Sequence, residues 1–134
     1  SPLGKLRVAR EGMDATIATF SGMVKPSLEA AEKLSKEGIE CEVLDLRTLA
    51  PLDREGICAS VKKTGRLVVA HEAVKTAGAG AEIAQTAMEG AFDYLQAPIL
   101  RVASKDLPIP TGKLQDVVFP SATDVEEAVR KAIE

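Results

Sequence analysis

His71 and Glu72 bring together two side chains able to do acid–base chemistry, since a carboxylate can orient an imidazole and favour its charged form. His71 is the only histidine in the chain. The pair follows an apolar run, Leu67 to Ala70, that reads as a strand, and precedes a glycine-bearing segment, Gly78-Ala79-Gly80, that leads into an amphipathic helix. In open α/β sheets, ligands and partners collect at the carboxyl ends of strands. Neighbours on a strand face opposite sides, however, so the two groups cannot converge on one atom. No serine or cysteine nucleophile motif accompanies them. His71 and Glu72 are therefore read as having an interface or structural role, or as contributing to an active site that another domain completes.

Other candidate chemistry is weaker. A phosphate-cradling loop needs closely spaced glycines between a strand and a helix N-terminus, so that backbone amides can reach the anion. The first strand-to-helix turn, Phe20-Ser21-Gly22-Met23, has one glycine, and Gly78-Ala79-Gly80 lacks the third that a dinucleotide fingerprint requires. These glycines read as a loop that allows a tight turn into the helix. Asp45 ends a strand as a phosphoacceptor aspartate would, but Phe20-Ser21 stands where an acidic pair is needed, and an interaction with Arg47 is the simpler reading. Cys41 and Cys58 fall in apolar surroundings and read as buried free thiols. Neither has a histidine or second cysteine at metal-binding spacing.

The elements that position these residues follow from periodicity. Strands are expected over 5–10 and 15–20, and the short link Glu11-Gly12-Met13-Asp14 between them suggests an antiparallel hairpin. Val24, Leu28, Ala31 and Leu34 stack along one helical face, with Pro26 in the first turn and Gly38 past the end. Strand 41–46 follows, and then a helix with Asp53 as N-cap, Ile57 and Val61 inward and Gly65 as its stop. After strand 66–70, Ile83, Ala87, Ala91 and Leu95 mark the inner stripe of a helix in which Gly90 suggests close packing. Strand 99–102 and a proline-bearing connection, 103–120, lead to a last helix. Its apolar face is Val125, Ala128, Val129, Ala132 and Ile133, and Thr123 and Glu126 have capping-box spacing. Strands alternating with helices imply an α/β domain with helices on both faces of a mostly parallel sheet.

Composition is consistent with this. The chain has 134 residues, 46% of them hydrophobic and few aromatic, which suits one core packed from Val, Ile, Leu and Ala. A net charge of −3 with mixed signs provides no basic face for nucleic acid. No apolar run reaches the roughly 18 residues of a membrane span, and the start lacks the apolar centre of a signal peptide. The expectation is a soluble, intracellular domain.

Five segments in order, REGMDATIATFSGMV, EVLDLRTLAPLD, VKKTGRLVVAHEA, GAGAEIA and FDYLQAPILRVASKDLPIP, resemble the C-terminal domain of the transketolase family. They are most similar to that of the β subunit of the first component of 2-oxoacid dehydrogenase complexes. The resemblance implies a three-layer α/β/α fold with a five-stranded mixed sheet whose first strand is antiparallel, formed by residues 1–134 as one domain of a longer subunit. It implies an assembly and partner-docking role, with His71, Glu72, Gly78 and Gly80 near a subunit interface and with thiamine diphosphate and magnesium held by other domains of the full enzyme. The implied partners are an α subunit, a second β subunit and the acyltransferase component, with neither nucleic acid nor membrane among them. The implied compartment is the cytoplasm in a prokaryote or the mitochondrial matrix in a eukaryote. The docking positions that it implies are Gln96, where an aspartate is usual, and the terminal residues Ile133 and Glu134. Two alternatives stand beside this: a free-standing α/β module binding a small regulatory ligand at the strand carboxyl ends, and a small hydrolase using His71.

Overall fold

Five consecutive residues buried on both faces make a central strand, and Ala15–Thr19 (β2) is such a run. In the computed structural model, which describes residues 4–47, 51–71, 73–103 and 121–134, β2 pairs in parallel with Cys41–Asp45 (β3) on one side and Leu67–His71 (β4) on the other. Leu100–Ala103 (β5) continues the parallel set beside β4, and Arg7–Arg10 (β1) pairs antiparallel with β3 at the opposite edge. The order is β1-β3-β2-β4-β5.

Among the described residues, two α-helices lie on each face. Val24–Ser35 (α1) and Ala122–Ile133 (α4) close one core with Ile17, Val43, Val68 and Ala70. Arg54–Thr64 (α2) and Ala73–Ala91 (α3) close the other with Ala18, Leu44, Leu67 and Val69. This is the expected three-layer α/β/α architecture with an antiparallel first strand. Alternate side chains of β2 feed opposite cores, as the period of two requires.

The expected hairpin does not form. β3 lies between β1 and β2, so the link 11–14 crosses the start of β3 instead of turning back. Asp14 fastens the crossing. Its backbone N–H donates to the Glu40 carbonyl at 2.9 Å, and its carboxylate accepts from the Glu40 N–H at 2.7 Å. Gly12 is required there because a Cβ would lie 2.4 Å from the carbonyl carbon of Cys41.

Helix limits follow local chemistry. Asp53 accepts from the Gly56 N–H at 3.0 Å as N-cap of α2, and Gly65 ends that helix at φ +75°. Gly38, at φ +85°, ends α1 with the Ile39 N–H returning to the Leu34 carbonyl at 3.0 Å. The capping box of α4 is Ser121 with Asp124, not Thr123 with Glu126: the same spacing occurs two residues earlier, and Glu126 is turned into the protein. α3 ends at Ala91, so Leu95 joins the core after a 3₁₀ turn, Phe92–Tyr94. The expected connection falls, over 104–120, outside the described residues.

Candidate functional site

The chain leaves β2 through α1 to β3 on one side, then crosses through α2 to β4 on the other. The carboxyl ends of β2 and β4 therefore flank a topological switch point, the place where open α/β sheets collect ligands. His71, the last residue of β4, lies there. It is 3% exposed, and its ring stacks on Phe20 at the exit of β2, with centroids 6.4 Å apart and planes inclined by 23°. Gly80 covers another side of the ring: a Cβ on it would lie 2.7 Å from His71 Nε2.

Gly78 and Gly80 lie within α3, which begins at Ala73, and not in a loop. Helix propensity opposes glycine there, but close approach to the imidazole favours it at position 80. Glu72 lies outside the described residues. Burial of His71 between a phenyl ring and a helix backbone suits packing better than proton transfer to a solvent-borne substrate.

The docking candidates lie at the other end of the sheet. Gln96 is exposed, its N–H donates to the Gly65 carbonyl at 2.8 Å, and its side chain lies over Gly65. Arg66, the next residue, donates from Nε to the Ala132 carbonyl at 3.1 Å, which ties the end of α4 to the start of β4. Ile133 is half-buried on the core and Glu134 is exposed. Residues 65 and 66 thus bring Gln96 and the 133–134 segment to one edge, with β4 between them and His71. Lys62 sits 5.6 Å above the Tyr94 ring, beside Gln96 in the chain.

Sequence reasoning missed a buried polar network near that amino edge. Glu42, 3% exposed, accepts from the Ser60 hydroxyl at 2.7 Å and the Gly12 N–H at 3.3 Å, and pairs with Lys63. Thr16 joins Ser60 at 2.8 Å and Thr64 at 2.7 Å. The available signal was a carboxylate in the otherwise apolar strand CEVLDL, opposite Ser60 and Thr64 spaced four apart on a helix.

The remaining candidates have ordinary roles. The Asp45 carboxylate pairs with Arg7 at 3.3 Å and accepts from the backbone N–H of Arg47 at 3.1 Å. Both cysteines are free thiols. Burial pushes the Cys41 thiol up to about 12, which removes it as a nucleophile at neutral pH. Cys58 is only half-buried, contrary to expectation, because it lines a groove of about 400 Å³ between α2 and α3. Among the described residues no three His, Cys, Asp or Glu side chains converge to hold a metal ion.

The family model "Transketolase, C-terminal domain" matches residues 4–125. The chain belongs to the transketolase C-terminal domain family. Across 97% of its length it is 52% identical to the pyruvate dehydrogenase E1 component subunit beta of Rickettsia conorii, covering 40% of that protein. Over 98% of its length it is 47% identical to the Bacillus subtilis subunit of that name, covering 41%, and 46% identical to the mitochondrial subunit beta-1 of Oryza sativa, covering 35%. A solved split-gene transketolase, described as an inactive beta4 tetramer, superposes with a TM-score of 0.80 at 30% identity, over 99% of this chain and 43% of its own. The chain thus spans about two fifths of the length of the curated relatives it matches. Those relatives are bacterial and mitochondrial, and no described helix is long and apolar enough to cross a membrane.

Proposed function

We propose that this transketolase C-terminal domain is one domain of the β subunit of a thiamine diphosphate-dependent 2-oxoacid dehydrogenase, with pyruvate as substrate. The observation that carries the reading is 46–52% identity, over nearly the whole chain, to subunits named pyruvate dehydrogenase E1 beta. In this reading the domain supplies subunit contacts and docking, while other parts of the enzyme hold the cofactor and decarboxylate the oxoacid. The carboxyl edge around His71, with Glu72, Gly78 and Gly80, faces an α subunit or second β subunit. The amino edge, with Gln96, Ile133 and Glu134, receives the acyltransferase component. The enzyme works in the cytoplasm of a prokaryote or in the mitochondrial matrix. The names of the relatives do not favour the alternative of a free-standing module for a regulatory ligand.

The test is reconstitution. The subunit containing this chain, assembled with its α partner, is expected to decarboxylate pyruvate and acylate a lipoyl acceptor, whereas the 134-residue chain alone does neither. Thiamine diphosphate binding by the chain alone would overturn the division of labour. Docking has its own test in Gln96→Asp. A neutral amide attracts a basic partner less than a carboxylate does, so the substitution should tighten acyltransferase binding by about threefold at low salt, with the gain fading as salt rises. No gain at low salt removes Gln96 from the docking surface.

A further inference from the structure

Gln96 and the 133–134 segment lie far apart in the chain, yet two adjacent residues seat them both. The carbonyl of Gly65, a residue at φ +75°, accepts the Gln96 N–H at 2.8 Å. A Cβ on Gly65 would lie 2.7 Å from Gln96 Nε2, so the missing side chain makes room for the amide. Arg66 reaches the other way. Its Nε donates to the carbonyl of Ala132 at 3.1 Å, and its Nη1 donates to that of Asp14 at a longer 3.5 Å. Ala132 stands in the last turn of α4, where carbonyls lack donors within the helix and the dipole favours a cation. The guanidinium thus caps α4 from outside and fixes the two residues after Ala132, of which Ile133 packs on the core and Glu134 is exposed. The chain has only three Phe and one Tyr, and two of these four, Phe92 and Tyr94, stand 61% and 51% exposed just ahead of Gln96. Aromatic side chains as open as these are what a partner surface buries.

We propose that Arg66 is a positioning residue for docking of the acyltransferase component: it holds the end of α4 while Gly65 beside it holds Gln96, so that this partner meets both in one fixed arrangement. The proposal rests on the reading that the amino edge receives that component, and adds the residue on which the arrangement depends. A planar guanidinium can span carbonyls from two segments, whereas an ammonium supplies its donors from a single point.

The test uses the subunit containing this chain, assembled with its α partner, and has two readouts: amide hydrogen exchange over 131–134 and the dissociation constant for the acyltransferase component. Arg66→Met keeps the apolar stem and removes both donors, and is expected to speed exchange in that segment and weaken docking about tenfold. Arg66→Lys keeps a cation and a donor, so docking should stay within about threefold of the parent. If Arg66→Met prevents folding, Arg66→Gln serves, with the same two changes expected. Faster exchange with an unchanged dissociation constant overturns the positioning role, since a merely structural contact moves only exchange and melting temperature. Gln96→Asp then separates the two ideas: tighter binding at low salt leaves the docking edge standing without Arg66, and no gain removes Gln96 from it as well. Unchanged exchange in Arg66→Met means that the guanidinium does not hold the end of α4, and overturns the proposal whatever the affinity.

Discussion

At Gly90 two effects of similar size oppose each other. Alanine in place of a helical glycine stabilises by up to about 1 kcal/mol, but a Cβ here would lie 2.5 Å from Cys58 Sγ, and overpacking costs about 1–3 kcal/mol. Gly90→Ala should therefore lower stability by about 1 kcal/mol in urea denaturation, whereas in a Cys58→Ala background the same change should raise it. A destabilising Gly90→Ala in both backgrounds would mean that the thiol is not what excludes the side chain. Close packing at Gly90 was legible in the sequence because a glycine stood inside an otherwise regular apolar stripe. Gly78 and Gly80 were misread as a loop because a histidine seven to nine residues earlier gives no local sign that it will lie beneath a helix. His71 was placed correctly at a strand end, since the apolar run before it is short and bounded by Gly65.

Strands and helices were more legible than their pairing. Both caps of α2 follow from single residues, Asp53 and Gly65, whose preferences are local. The partner of β1 depends on β3 entering the sheet between β1 and β2, some 30 residues later, and a short Gly- and Asp-bearing link suits a hairpin equally well. The attachment of α2 to the sheet depends on a similarly nonlocal feature, the Glu42 network. Lys63→Ala leaves a buried carboxylate with its hydrogen bonds from Ser60 and Gly12 but without its cation. The lysine is 37% exposed, so water replaces part of its effect, and the loss should be about 2 kcal/mol, below the range for a fully buried pair. Paired Lys63→Ala and Glu42→Gln variants should show clear coupling in a double-mutant cycle. Additivity would assign Lys63 to the solvent. At the end of the chain, Ser121→Ala removes the α4 cap and should cost about 1 kcal/mol, read as a lower melting temperature.

Across the whole molecule, charge pairs reach between elements far apart in the chain, as where α4 meets the turn after α1. Arg130 on α4 donates from Nε and Nη2 to the Glu37 carboxylate just beyond α1, at 3.0 and 2.5 Å, and Nη2 also reaches Glu126 at 3.2 Å. The hydrogen bond from Arg130 holds the Glu37 carboxyl below its ordinary value of 4.5. A hydrogen bond from Ser35, aided by Arg10, does the same for Glu40. A carboxyl with a folded pKa below its unfolded one binds fewer protons in the folded state, so its contribution is fully present above about pH 4.5 and is lost as pH falls through the folded value. Stability should therefore fall more steeply below pH 4.5 in the parent than in a Glu37→Gln, Glu40→Gln double variant, and the two curves should approach each other at the acid end. Both carboxylates are at the surface, so the difference between the curves is small and should shrink further in high salt. Parallel curves through this range would mean that the carboxyls titrate alike in the folded and unfolded chains. The α1–α4 face would then be held by its apolar contacts, Leu34, Val125 and Val129 among them.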